Sequence, residues 1–249
     1  MRKKLIAANW KMYKTPVQAR EFVEAFAPMI SGHERDEITL CVPFVCIPEV
    51  VTATKGSNIR VGAQDMHWEK EGAFTGAISA AMLVAAGCTH VVIGHSERRQ
   101  YFGETDETVN KKLEAALEAK LTPIVCVGEV LAEREAGITD DVLRRQCNVG
   151  FRGISGAKAE RLVVAYEPVW AIGTGKTATP QIAASAHATI RAEARKAFGP
   201  ELADNLRILY GGSVKPENAK ALMSEDEIDG ALVGGASLDP KSFAAIVKY

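Results

Sequence analysis

Three side chains of different chemistry stand directly after short apolar runs. Lys11 lies in Ala8-Asn-Trp-Lys-Met12, His95 in Ile93-Gly-His-Ser-Glu-Arg-Arg99, and Glu167 ends Val163-Val-Ala-Tyr-Glu167. A carboxylate that closes a buried apolar run is a candidate general base, because burial raises its pKa toward working pH. A histidine beside the positive end of a helix, with Ser96 as the expected N-cap, is held as neutral imidazole and donates a hydrogen bond. A lysine flanked by Trp10 and Met12 is directed into a cleft, where its ammonium attracts anions. Each has an ordinary alternative when taken singly: a solvated lysine, a hydrogen-bonded structural histidine, a glutamate paired with an arginine.

Two glycine pairs add a second kind of chemistry. Tyr210-Gly-Gly-Ser213 and Val233-Gly-Gly235 each follow an apolar run. One pair alone reads as a turn; two at the last two strands of a barrel read as a phosphate nest of backbone N–H groups. Pro168 to Thr177, apolar at its start and Gly-rich at its end, reads as a lid hinged at Pro-Val-Trp and Lys-Thr-Ala. Gly175-Lys176-Thr177 imitates the end of a P-loop, but Trp170 stands where the first glycine is required. Gly173-x-Gly175-x-x-Ala178 imitates a dinucleotide fingerprint, but too far beyond the strand end. The inventory is one cation, one imidazole, one carboxylate, a lid and an anion nest, with no metal-ligand cluster, no serine elbow and no Schiff-base lysine. It suggests cofactor-free proton transfer on a small phosphorylated carbonyl compound.

These residues need a frame that brings strand ends together. β-branched and apolar runs recur at Leu5–Ala8, Thr39–Val42, Ile59–Ala63, His90–Ile93, Pro123–Val127, Leu162–Tyr166, Arg207–Tyr210 and Gly230–Val233. Their spacing, roughly thirty residues, is that of a strand, a crossover helix and two loops. Helices are expected over Val17–Phe26 after Pro16, over Val109–Ala119 after Thr105, and from Pro180 to Phe198, where Gly199-Pro200 ends the last. Apolar strands alternating with helices predict an α/β fold with a parallel sheet covered on both faces. Eight such units favour a closed (β/α)8 barrel with an outer ring of helices over an open doubly wound sheet. In a barrel the strand C-termini share one face, which is where all the candidates sit.

Composition narrows the class. The chain has 249 residues, 30 Lys+Arg against 31 Asp+Glu, and five cysteines. The near-neutral balance argues against nucleic acid as a partner. An odd cysteine count without C-x-x-C fits a reducing, cytoplasmic setting and no zinc. No apolar run approaches the ~18 residues of a membrane span. The whole of 1–249 is expected to be one domain.

Asn9-Trp-Lys-Met12, Gly94-His-Ser-Glu-Arg-Arg99 with Gln100-Tyr-Phe-Gly-Glu-Thr105, Ala165-Tyr-Glu-Pro-Val-Trp-Ala-Ile-Gly-Thr-Gly-Lys176 and Tyr210-Gly-Gly-Ser213 together resemble the triosephosphate isomerase family. The resemblance covers essentially the whole chain. It implies the TIM-barrel fold and the interconversion of dihydroxyacetone phosphate and D-glyceraldehyde 3-phosphate through an enediol(ate), with no cofactor and no metal. It implies Glu167 as base, neutral His95 as electrophile, Lys11 as charge stabiliser and Asn9 on the substrate oxygen. Glu97 matches a residue near both, with either a catalytic or a supporting ion-pair role. The phosphate is expected on backbone N–H groups of Gly173, Ser213, Gly234 and Gly235. Ile172 and Leu232 resemble an apolar clamp on Glu167, and the lid comprises Pro168, Trp170, Ile172, Gly173, Thr174, Gly175 and Lys176. Tyr210 and Ser213 resemble its latch, and Glu129 a partner of Trp170. Gln64–Gly76 resembles an interface loop that carries Thr75 to the neighbouring site of a homodimer. The competing reading is a barrel that binds a phosphate ligand without catalysis; loss of Lys11, His95 or Glu167 would favour it, and all three are present.

Overall fold

The apolar runs become parallel strands that close on themselves in chain order. In the computed structural model, which describes residues 2–172 and 177–249, these are β1 (Leu5–Asn9), β2 (Glu37–Cys41), β3 (Ile59–Ala63), β4 (His90–Ile93), β5 (Thr122–Val127), β6 (Val163–Tyr166), β7 (Arg207–Tyr210) and β8 (Gly230–Val233). Leu5 of β1 lies opposite both Glu37 of β2 and Gly230 of β8, which closes the barrel. Four strands have the bounds expected from sequence. β2 begins two residues before Thr39, because the charged Glu37 is laddered opposite Leu5.

The outer ring holds α1 (Pro16–Met29), α2 (Ile47–Ala53), α3 (Ala80–Ala85), α4 (Ser96–Phe102), α5 (Asp106–Glu118), α6 (Leu131–Glu135), α7 (Thr139–Gly150), α8 (Gly156–Ala159), α9 (Pro180–Phe198), α10 (Pro200–Asn205), α11 (Pro216–Met223) and α12 (Pro240–Val247). Local chemistry sets several ends. Thr15 caps α1 through a reciprocal box with Gln18, and Pro16 takes the first helical position, where its missing N–H is harmless. Gly199, at φ 90, ends α9 as expected, and Pro200 then opens a further short helix.

Strand alternation splits the core in two. Leu5, Ala7, Cys41, Val92, Ile124, Cys126, Val163, Ala165, Leu209 and Leu232 fill the barrel interior. Their strand neighbours, among them Ile6, Ala8, Val91, Ile93, Val164 and Tyr166, point outward against the helices. The inward parity continues to Asn9 after Ala7 and to Glu167 after Ala165, so two polar side chains arrive at the C-terminal mouth. Among the described residues no helix is long and apolar enough to cross a membrane.

Candidate active site

A cavity of about 270 Å³ opens at the C-terminal mouth, lined by Asn9, Lys11, His95, Glu167, Ile172, Ser213, Leu232, Gly234 and Gly235 among others. The side chains expected to act on substrate therefore converge, although they come from strands spread around the barrel. Gly173, Thr174, Gly175 and Lys176 lie outside the described residues. A larger cavity, about 830 Å³, shares Glu167 and Ile172 with it and is also lined by Trp170.

Glu167 is buried, and both carboxylate oxygens are engaged. Oε1 lies 2.8 Å from His95 Nε2, and Oε2 accepts the Ser96 N–H at 2.9 Å. His95 itself caps α4: the Glu97 N–H donates to its Nδ1 at 3.2 Å. The cap is thus His95 and not Ser96, because a ring nitrogen with a free lone pair reaches the first orphan N–H. Nδ1 is then the acceptor, and the neutral ring carries its proton on Nε2, aimed at Glu167.

The pKa directions reverse the expectation for both partners. Burial, the largest single influence, pushes the Glu167 carboxyl up. His95, the Ser96 N–H and Lys11 together outweigh it and hold the group below the usual carboxylate value. Burial likewise pulls His95 down, yet the charge and hydrogen bond of Glu167, with Glu97, hold it above 6.5. The reason is contact across strands: each residue is the other's partner while nothing separates them.

Lys11 is placed by strain. Its φ of 51 lies in the left-handed region, which costs a non-glycine residue about 1–3 kcal/mol. Asn9 Oδ1 accepts the Lys11 N–H at 3.0 Å, and Gln64 Nε2 donates to the Lys11 carbonyl at 2.9 Å. The ammonium, freed to enter the mouth, meets Glu97 Oε1 at 2.6 Å. Glu97 does not line the smaller cavity; it holds the lysine from behind.

The segment that follows β6 is anchored by Glu129, which is fully buried. Trp170 Nε1 donates to it at 2.8 Å and the Tyr166 hydroxyl at 3.1 Å. Pro168 opens the short 3-10 turn Val169–Ala171. Burial pushes the Tyr210 phenol up to about 12 while the Ala178 backbone, just past the expected lid, pulls it the other way. Thr75 is exposed on the protruding Gln64–Gly76 loop, whose Asp65 is held by Lys112 and Arg98 at 2.6 and 3.0 Å.

The family model for triosephosphate isomerase matches residues 4–249. A triosephosphate isomerase of Solibacter usitatus is 59% identical over 249 residues, all of both chains. That of Moorella thermoacetica is 58% identical, covering 100% of this chain and 99% of its own. The chain belongs to the triosephosphate isomerase family. The crystal structure of triosephosphate isomerase from Bartonella henselae, 41% identical, superposes with a TM-score of 0.88 over 98% of this chain and 97% of that one.

Two glycines flank Glu167 closely: Gly128, which sequence reasoning missed, and Gly211, which it read only as part of a phosphate nest. A Cβ on Gly128 would lie 1.8 Å from the Glu167 carbonyl oxygen, and one on Gly211 would lie 2.9 Å from Glu167 Cγ. Only hydrogen at these two positions lets the ends of β5 and β7 flank Glu167 so closely. Gln146 holds Gly128 from outside, accepting its N–H at 2.7 Å and donating to its carbonyl at 3.2 Å. A glycine directly after the apolar run ending at Val127 was the available signal. Among the described residues no group of three or more His, Cys, Asp or Glu is placed to hold a metal ion.

Proposed function

We propose that this chain interconverts dihydroxyacetone phosphate and D-glyceraldehyde 3-phosphate by cofactor-free proton transfer, the reaction of its family. The observation that carries this reading is the direct contact of Glu167 with His95 Nε2 in a cavity that also holds Lys11 and the Gly234-Gly235 backbone. A substrate carbonyl entering between the two residues takes over the hydrogen bond that His95 now gives Glu167. The carboxylate then loses the partner that lowers its pKa, and burial, already its largest influence, makes it a stronger base. Glu167 removes a proton from one carbon and the bonding electrons move to the carbonyl oxygen, giving an enediolate. His95, Asn9 and Lys11 stabilise that oxygen, His95 passes a hydroxyl proton, and Glu167 returns its proton to the neighbouring carbon. Ile172 and Leu232 line the cavity beside the carboxylate and keep it dry.

Phosphate is held by backbone N–H groups at Ser213, Gly234 and Gly235, joined by Gly173 on lid closure. Closure also matters chemically, because an enediolate next to a phosphate ester eliminates phosphate when water reaches it. Glu97 acts by holding Lys11 and not as a proton carrier. The active form is a homodimer located in the cytoplasm. Supporting the dimer, Met12 is 95% exposed beside the site, with Tyr13, Phe44, Phe74 and Phe102 also exposed. Thr75 of a second copy then completes the neighbouring site, and sedimentation at several concentrations tests the assembly. The activity is tested by mixing the purified chain with D-glyceraldehyde 3-phosphate alone. The ketone phosphate is expected, and its failure to form would refute the reading.

A further inference from the structure

We infer that Lys14 is a positioning residue for phosphate recognition: it clamps the loop carrying Lys11 to the far end of the segment that presents Gly234 and Gly235. The inference rests on the proposed phosphate site and adds to it a residue that does not line the cavity.

Gly234 to Leu238 is closed at one end by Ser237. Its N–H and its hydroxyl both donate to the Gly234 carbonyl, at 2.8 and 2.7 Å, and the side chain is fully buried. The segment runs as a 3-10 turn over Gly235–Leu238. Lys14 Nζ donates to this Leu238 carbonyl at 2.9 Å. This charge-assisted hydrogen bond fixes the end of a turn whose start, Gly234 and Gly235, lines the cavity.

The lysine is built for this place. Its φ of 76 is left-handed, a strained state for a side-chain-bearing residue, and the Cys46 thiol donates to its carbonyl at 3.3 Å. Its ammonium lies 5.3 Å from the centre of the Trp10 ring and 4.9 Å from that of Phe22, and these two rings meet edge to face. Burial among them holds the amine below the usual lysine value, with Asp239 opposing that shift. A solvated surface lysine shows none of these features. Trp10 and Lys11 are consecutive, so one loop both delivers the active-site cation and fixes the phosphate segment opposite it.

The experiment measures kcat, KM for D-glyceraldehyde 3-phosphate, and competitive inhibition by inorganic phosphate for the full chain, for Lys14→Met and for Lys14→Arg. Methionine keeps an apolar stem against Trp10 and Phe22 but cannot donate; arginine restores the donor. Lys14→Met is expected to raise KM and the phosphate inhibition constant together, each about tenfold, equivalent to ~1.4 kcal/mol, with kcat nearly unchanged. Lys14→Arg is expected to recover most of both. A merely structural lysine would lower the active fraction, and hence apparent kcat, without moving either constant. Unmoved constants in Lys14→Met, or a fall in kcat alone, would overturn the inference. If that variant does not fold, Lys14→Gln carries the same readout, expected between wild type and loss of the donor. A wild-type chain not inhibited by phosphate would overturn the underlying phosphate site and this inference with it, a result distinct from inhibition that Lys14→Met leaves unmoved.

Discussion

The barrel holds a glutamate–histidine pair at each mouth, and the two differ in what else surrounds them. At the N-terminal mouth Glu37 starts β2, His90 starts β4 and Arg207 starts β7, all on the inward parity. His90 Nε2 lies 3.1 Å and Arg207 2.6 Å from the carboxylate. At the C-terminal mouth Glu167 and His95 meet at 2.8 Å, but their other neighbours are a cavity, a backbone N–H and a lysine held back by Glu97. The same two residue types thus make a plug at one end and, at the other, a pair open to a cavity, the proposed reaction centre. The difference lies in the permanent guanidinium and the room for a third molecule. A carboxylate locked by arginine has no proton to exchange near neutral pH, whereas one whose partner a ligand displaces changes basicity on binding.

The largest expected effect breaks the pairs one at a time. Glu167→Gln lowers turnover by about 10³-fold or more in a coupled assay, with melting unchanged or slightly raised. Glu37→Gln leaves turnover within about twofold. Equal losses in both would contradict the division of roles. Next comes Gly211→Ala, which drives a methyl into Glu167 Cγ and moves the base; turnover should fall about a hundredfold while substrate still binds. An unaltered rate would mean the close approach has no catalytic meaning.

The N-terminal pair is sharpened by acid. Hydrogen bonding to His90, opposed by burial and assisted by Arg207, holds Glu37 down at about 2 against 4.5. A depressed carboxylate contributes stability that is present above 4.5 and lost as pH falls toward 2. The contribution is about 1–2 kcal/mol, less than the full shift implies because the mouth is partly open to solvent. Denaturant titrations from pH 6 to pH 2 should therefore show a steeper acid loss in wild type than in Glu37→Gln; parallel curves would remove the plug role. The smallest effect belongs to Gln146→Ala, which strips both hydrogen bonds from Gly128 and should cost about 1–2 kcal/mol of stability with a few-fold drop in turnover.

Much of this was legible in the chain itself, and the rest was hidden for identifiable reasons. His90–Ile93, Arg207–Tyr210 and Gly230–Val233 were readable as strands because buried parallel strands are unbroken apolar runs. Glu37 broke such a run, since its place depends on an arginine 170 residues away. Lys11, His95 and Glu167 were visible as polar groups at strand ends. The direction of the His95 and Glu167 proton equilibria was not, because it turns on a 2.8 Å contact between the residues that follow β4 and β6, which no local pattern encodes. Ser96 and His95 are both capable of capping α4, and only the ring's orientation decides between them. Gly128 and Gly211 act through the absence of a side chain: their places directly after apolar runs were visible, but what a Cβ there would strike was not.

The central claim, that Glu167 carries a proton between neighbouring carbons, is tested most directly by running the isomerisation of D-glyceraldehyde 3-phosphate in D2O and reading the product by NMR. A carboxylate that picks up and returns the proton exchanges part of it with solvent. Deuterium is expected at the carbon that receives the proton in a measurable fraction of the dihydroxyacetone phosphate, and Glu167→Gln should form almost no product. Product formed at full rate without solvent deuterium would point to direct hydride transfer and contradict the account.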